Sequence, residues 1–174
     1  YAKLLQYSLY FYDANMCGDK VTENSVYSWR NTNCHTYDGE YAGGFHDAGD
    51  HAMFGLPQGF TASTLGWTYN EYKTTFDSLG LKSHYQLIMK EFCDFFVKST
   101  KMSNGSVSDL LLDKGDAGTD HSYWGSPEAQ SQGQRGGLVW ANSSNSGGNI
   151  AAEYAAALAS YYLNFPNDTN SSTY

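Results

Sequence analysis

Four stretches of the chain repeat apolar residues at three- and four-residue steps, and the segments joining them are alternately long and glycine-rich or short. This pattern constrains the fold most, because a period near 3.6 residues matches a helix with one buried face. Residues 3 to 14 place Leu5, Leu9 and Tyr12 on one stripe, with Leu4 and Phe11 beside it. Residues 57 to 72 carry Phe60, Leu65, Tyr69 and Tyr72, and Leu79-Gly80-Leu81 interrupts the pattern before the next helix. Residues 82 to 100 hold Leu87, Ile88, Phe92, Phe95 and Phe96; residues 150 to 163 hold Ile150, Tyr154, Leu158 and Tyr161 among alanines small enough for close helix contact. The short linker makes the second and third helices antiparallel neighbours. Residues 106 to 112 read as a short strand, no βαβ unit or internal repeat is evident, and the tail from Pro166 is expected to fray. The expected fold class is all-α.

Residues 17 to 49 and 115 to 148 lose periodicity and gather Gly, Asn, Asp and Ser. Connections of that length in a compact domain are usually functional, so the chemistry is sought there. A chain of 174 residues that is 41% hydrophobic and 16% charged buries a core and is globular, as one domain or a piece of one. It begins at Tyr1 without an initiator Met or a leader, so its start is expected to be processed or truncated, and no apolar run is long enough to span a membrane. Ten basic against 18 acidic residues, a net charge of −8, argue against nucleic acid and anionic membranes as partners. A neutral substrate fits better. The 15 Tyr, 9 Phe and 4 Trp offer faces that stack on sugar rings, although aromatic residues mostly fill cores.

The three cysteines are odd in number, so at least one is unpaired within the chain. Cys93 sits on the apolar face of the third helix and reads as a buried thiol. Cys17 and Cys34-His35 admit a disulfide, free thiols, or a metal site with His46 or His51 as the fourth ligand; the spacing leaves the metal unknown.

The sharpest motif is His46-Asp47-Ala48-Gly49-Asp50-His51, in which small residues let the backbone turn between two carboxylates. Such carboxylates oppose each other's ionisation, which lets one be tuned while the other orients water. Inverting glycoside hydrolysis needs a base on one face of the sugar and an acid on the other, with carboxyls roughly 6.5 to 9.5 Å apart. Asp47 and Asp50 are too close in sequence to flank a sugar and suit the base half alone. Taken by itself, Asp-Ala-Gly-Asp more often reads as an Asx turn. It also lacks the acidic series and terminal Glu of an EF-hand.

The context decides between these readings. Phe11-Tyr12-Asp13-Ala14-Asn15, Ser28-Trp29-Arg30, the segment from Gly43-Gly44-Phe45 through His51, and Phe54-Gly55-Leu56-Pro57-Gln58 resemble glycoside hydrolase family 9. So do Asp120-His121-Ser122-Tyr123-Trp124-Gly125-Ser126-Pro127-Glu128 and Asn149-Ile150-Ala151-Ala152-Glu153, in the same order. The resemblance runs over nearly the whole chain. It implies an (α/α)6 barrel, here incomplete with about the first four helices, so that residues 1 to 174 form the N-terminal part of one catalytic domain. It further implies a secreted, extracellular cellulase that inverts at β-1,4-glucosidic bonds of cellulose or another β-glucan, and is compatible with accessory carbohydrate-binding modules outside this chain, which the sequence does not reveal. No cofactor is required for that chemistry, and a structural zinc like that of some family members, or a calcium ion, is compatible with it. By motif position Asp50 is the general base, Asp47 helps hold the attacking water, and His121 and Trp124 line the substrate cleft. The family's general acid is a Glu near the end of a much longer module, and neither Glu128 nor Glu153 occupies its position. The chain alone is therefore expected to be inactive. Alternatives to an endoglucanase are an exo-acting member, such as a cellobiohydrolase or exoglucosaminidase, and a noncatalytic sugar-binding protein.

Overall fold

The computed structural model describes residues 1–30 and 34–174. In chain order the elements are α1 (Ala2–Asn15), α2 (Val21–Asn24), β1 (Met53–Phe54), α3 (Gly55–Ser78), α4 (Lys82–Lys98), β2 (Thr100–Ser103), β3 (Ser106–Lys114), α5 (Ala117–His121), β4 (Leu138–Trp140) and α6 (Gly148–Asn164). Short 3-10 helices lie at Thr36–Tyr41 and Gln132–Gln134. The four long helices fall on the four periodic stretches. Among the described residues no helix is long and apolar enough to cross a membrane.

The buried face of α3 departs from the expected stripe. Phe60 and Tyr72 are 61% and 60% exposed, whereas Gly55, Gln58, Gly59, Ala62, Gly66, Tyr69 and Phe76 are buried. Small residues choose this face because α6 lies against it: a Cβ at Gly59 would stand 2.6 Å from Glu153 Cβ, and one at Gly66 would overlap the Ser160 side chain. The helix also runs past residue 72 to Ser78, through a local departure from helical geometry at Tyr72 (φ −115°, ψ 25°).

Aromatic rings fill the space between helices. Tyr69 stacks on Tyr85 at 4.6 Å, Phe45 on Phe92 at 3.8 Å and Phe96 on Tyr154 at 3.9 Å between centroids. Cys93 is buried and unpaired, and burial pushes its thiol up. The tail expected to fray instead folds back. Gln86 Nε2 donates to Asp168 at 2.9 Å, Ser171 is buried, and the Tyr174 ring packs edge-on against Tyr161 at 5.0 Å. An apolar tyrosine at the end of a polar run supplies the anchor that composition conceals.

A small antiparallel sheet joins the helices, with β1, β2 and β4 all pairing with β3. Only β3 was expected, because strands of two to four residues are too short to show alternation. Met53 pairs with Lys114 and Lys114 with Leu138, so the sheet brings the start of α3 beside both long loops.

Candidate active site

The described residues of the 17 to 49 segment are tied to the helices, as a structured loop is. Phe45 bridges to Met16, Cys17 N–H donates to Gly44 C=O at 3.0 Å, and His46 N–H donates to Asn15 C=O at 2.9 Å, which fastens it to the end of α1. Gly43 and Gly44 have φ of 125° and 93°, a region closed to other residues at little cost. Buried polar side chains from three elements then bond this backbone. Gln58 of α3 accepts the Phe45 N–H (2.9 Å), and Glu91 of α4 accepts the Gly44 N–H (3.2 Å). Lys114 of β3 donates to the carbonyls of Tyr41 (2.9 Å) and Gly43 (2.7 Å) while pairing with Asp38 (3.1 Å). Burial pushes the Glu91 carboxyl up to about 7 and the Lys114 ammonium down to about 8, Asp38 opposing the latter.

Asp47 to Ala52 form a tight reversal. Asp47 N–H donates to Ala52 C=O at 3.0 Å, and Asp50 Oδ1 accepts the Ala52 N–H at 3.0 Å. The Asx turn is therefore real, and it uses one oxygen of Asp50 only. The other, Oδ2, lies 2.6 Å from His121 Nε2, with the Asp50 side chain 8% exposed and the His121 side chain 61% exposed. Asp47 is exposed. His121 ends α5, whose first turn is capped by Asp116 accepting the Thr119 N–H at 2.7 Å. Trp124 follows almost wholly exposed. Asp50 and His121, which sequence motifs named separately, are thus in contact; Asp47 and Trp124 lie in the same two loops and make no side-chain hydrogen bond or ion pair among the described residues. Glu128 instead pairs with Arg30 at 3.0 Å, and Glu153 accepts from Ser63 at 2.7 Å.

Sequence reasoning missed what lies beneath this turn. The Arg135 guanidinium donates to His51 C=O at 2.6 Å and to Asp120 Oδ1 at 2.9 Å. Burial raises the Asp120 carboxyl, but the N–H groups of Gly136 and Asp116 and the Arg135 charge outweigh it and hold the group below its ordinary value. Gln130 Oε1 lies 2.8 Å from both His51 Nδ1 and His35 Nε2. Neither Gln130 nor Arg135 belongs to a motif in the sequence; only their place in a long glycine-rich segment pointed toward them.

Cys17 and Cys34 are joined in a disulfide, Cα atoms 5.4 Å apart. Their sulfurs and one ring nitrogen each of His35 and His46 lie within 4.8 Å of one another, all four residues buried. Of the two histidines weighed as a fourth ligand, His46 joins the cluster and His51 bonds Gln130. Burial first, then the Arg135 charge, pushes His35 down to about 3; burial and neighbouring histidines hold His46 well below its ordinary value. Both rings are therefore neutral near pH 7. His35 Nδ1 is buried with no hydrogen-bond partner among the described residues.

The family model for glycosyl hydrolase family 9 matches residues 1–174, and the chain belongs to that family. It is 35% identical over 165 residues to Endoglucanase B of Cellulomonas fimi, covering 92% of this chain and 15% of that protein. The catalytic domain of Clostridium thermocellum CelT superposes with a TM-score of 0.90 at 37% identity, over 99% of this chain and 41% of that one. The cellulase Cel9M of C. cellulolyticum in complex with cellobiose gives 0.85 at 40% identity, over 99% and 39%. The four long helices are accordingly part of an incomplete (α/α)6 barrel.

Proposed function

We propose that this chain is the N-terminal part of a secreted, endo-acting cellulase module and supplies the base half of its inverting site. The carrying observation is the division of labour at Asp50: Oδ1 is fixed by the Ala52 N–H, and Oδ2 is left beside His121 at 2.6 Å. A carboxylate held in this way has one free oxygen to take a proton from water as that water attacks the anomeric carbon. Asp47, exposed in the same turn, holds the same water. Substrate enters against the open Trp124 face and displaces or shares the His121 contact, its imidazole bonding a sugar hydroxyl. The leaving oxygen is protonated by an acid that these residues do not supply. Support for a β-1,4-glucan substrate comes from relatives named endoglucanases and from the cellobiose complex of Cel9M.

The test is kinetic. In the full-length protein Asp50→Asn lowers kcat by at least about 10²-fold, the low end for a general base, while cello-oligosaccharide affinity stays near wild type. Asp47→Asn loses less. The 174-residue chain alone releases no reducing sugar from cellulose. Small and equal effects of the two substitutions, or turnover by the chain alone, would refute the assignment.

The same reading includes a structural metal. Two thiolates and two imidazoles are a zinc donor set and not a calcium one, which would be oxygen. Reduced, Cys17 and Cys34 with His35 and His46 would hold zinc, and the unpartnered Nδ1 of His35 is the kind of atom such an ion satisfies. Its contribution would be to fold, with no part in the chemistry.

A further inference from the structure

Gln130 is 3% exposed and uses its entire hydrogen-bonding capacity. Its Nε2 donates to Asp120 Oδ1 at 3.1 Å and to Gln134 C=O at 2.8 Å. Its Oε1 meets His35 Nε2 and His51 Nδ1, each at 2.8 Å. The amide has one workable orientation. A flip would set its oxygen against a carboxylate and a carbonyl, neither of which has a proton to give. With Nε2 committed, Oε1 must accept, so His35 carries its proton on Nε2 and His51 carries its own on Nδ1.

Both consequences reach functional groups. Protonation of His35 at Nε2 leaves the Nδ1 lone pair free, and Nδ1 is buried without a hydrogen-bond partner among the described residues, on a ring that shares a cluster with Cys17, Cys34 and His46. Protonation of His51 at Nδ1 fixes the ring next in sequence to Asp50, while Arg135 holds the His51 carbonyl and Asp120 holds both Arg135 and Gln130. We infer that Gln130 is a positioning residue that sets the tautomers of His35 and His51 together and so ties the cysteine–histidine cluster to the turn presenting Asp50. Its effect on turnover rests on Asp50 being the base; its effect on the two rings does not.

The experiment reads the rings directly, by histidine side-chain ¹⁵N shifts and long-range ¹H–¹⁵N correlations on the chelator-treated chain near pH 7. Wild type shows His35 as the Nε2–H form and His51 as the Nδ1–H form. Gln130→Leu releases His51 to the Nε2–H form that free imidazole side chains prefer. The wild-type tautomers decide the matter if Gln130→Leu does not fold. A wild-type ring in the opposite tautomer, or a folded Gln130→Leu with His51 unchanged, overturns the assignment. In the full-length protein Gln130→Leu lowers kcat about 10- to 100-fold, the range for a residue orienting a functional side chain through one intermediary, with KM little changed. Unchanged kcat alongside a switched His51 removes the link to the base and leaves the Asp50→Asn result standing.

Discussion

At Asp50 the turn that a local reading assigns to Asp-Ala-Gly-Asp is made by one carboxylate oxygen, and the other lies 2.6 Å from His121, where the proposed base would act. Holding such a turn in place falls to neighbours that are costly to bury, and Glu91 makes the cost measurable. It is 2% exposed, accepts from Asn24 Nδ2 at 2.8 Å and from the Gly44 N–H, and burial raises its carboxyl to about 7. Because the folded protein then binds this proton more tightly than the unfolded chain, stability from Glu91 is fully present below about pH 4.5 and is lost as pH rises to about 7. Relative to Glu91→Gln, the wild-type chain should lose on the order of 3 kcal/mol across that window. Urea titrations at pH 4.5, 6 and 8 check this; a constant difference between the two proteins would show that Glu91 does not titrate there. Lys114 has the opposite sign: its folded value near 8 lies below its ordinary one, so the penalty for burying its charge is present below about 8 and relieved above it.

At the scale of elements, α3 and α6 depend on the absence of side chains. Gly55, Gly59 and Gly66 line the contact, and a methyl group at Gly66 would overlap Ser160. Gly66→Ala gains up to about 1 kcal/mol of helix propensity but should lose about 1–3 kcal/mol to overpacking, so the net change is destabilising. Pairing it with Ser160→Gly should recover at least about 1 kcal/mol in a double-mutant cycle. Additive effects in urea denaturation would mean that the helices are not in contact there. The same contact explains what the sequence could reveal. The four long helices were legible because Ile88, Phe92, Phe95 and Phe96, or Ile150, Tyr154 and Tyr161, announce a buried face by size and spacing. On α3 the face is chosen by glycines that no hydrophobic period registers, and the large residues Phe60 and Tyr72 point away. At the site, Asp47 and Asp50 were legible as an ordered motif. Gln58, Glu91, Lys114, Gln130 and Arg135 were not, because each is an isolated polar residue whose role comes from partners brought close only by the fold.

For the whole molecule, the Cys17–Cys34 disulfide cross-links the end of α1 to the long segment that leads to Asp50, and the proposed zinc site would be a second form of the same restraint. Cys17 follows α1, Cys34 and His35 open the loop, and His46 begins the turn of Asp50, so joining them ties three segments into one unit. As a disulfide, the bond closes a separation of 17 residues, which by loop-closure entropy amounts to about 3 kcal/mol. As a zinc site, the same four residues would supply the restraint only when reduced, and the ion would also occupy the lone pair of His35 that the disulfide form leaves buried and unused. The two forms respond oppositely to reductant. Reduction with a chelator present should lower Tm by roughly 6 to 12 °C, about 3 kcal/mol for a chain of this size. Reduction with zinc present should restore the loss, with one zinc per chain by elemental analysis and two thiols protected until the metal is removed. Failure of the reduced chain to take up zinc, with Tm equally low in both conditions, would leave the disulfide as the only cross-link and make His35 and His46 its packing neighbours.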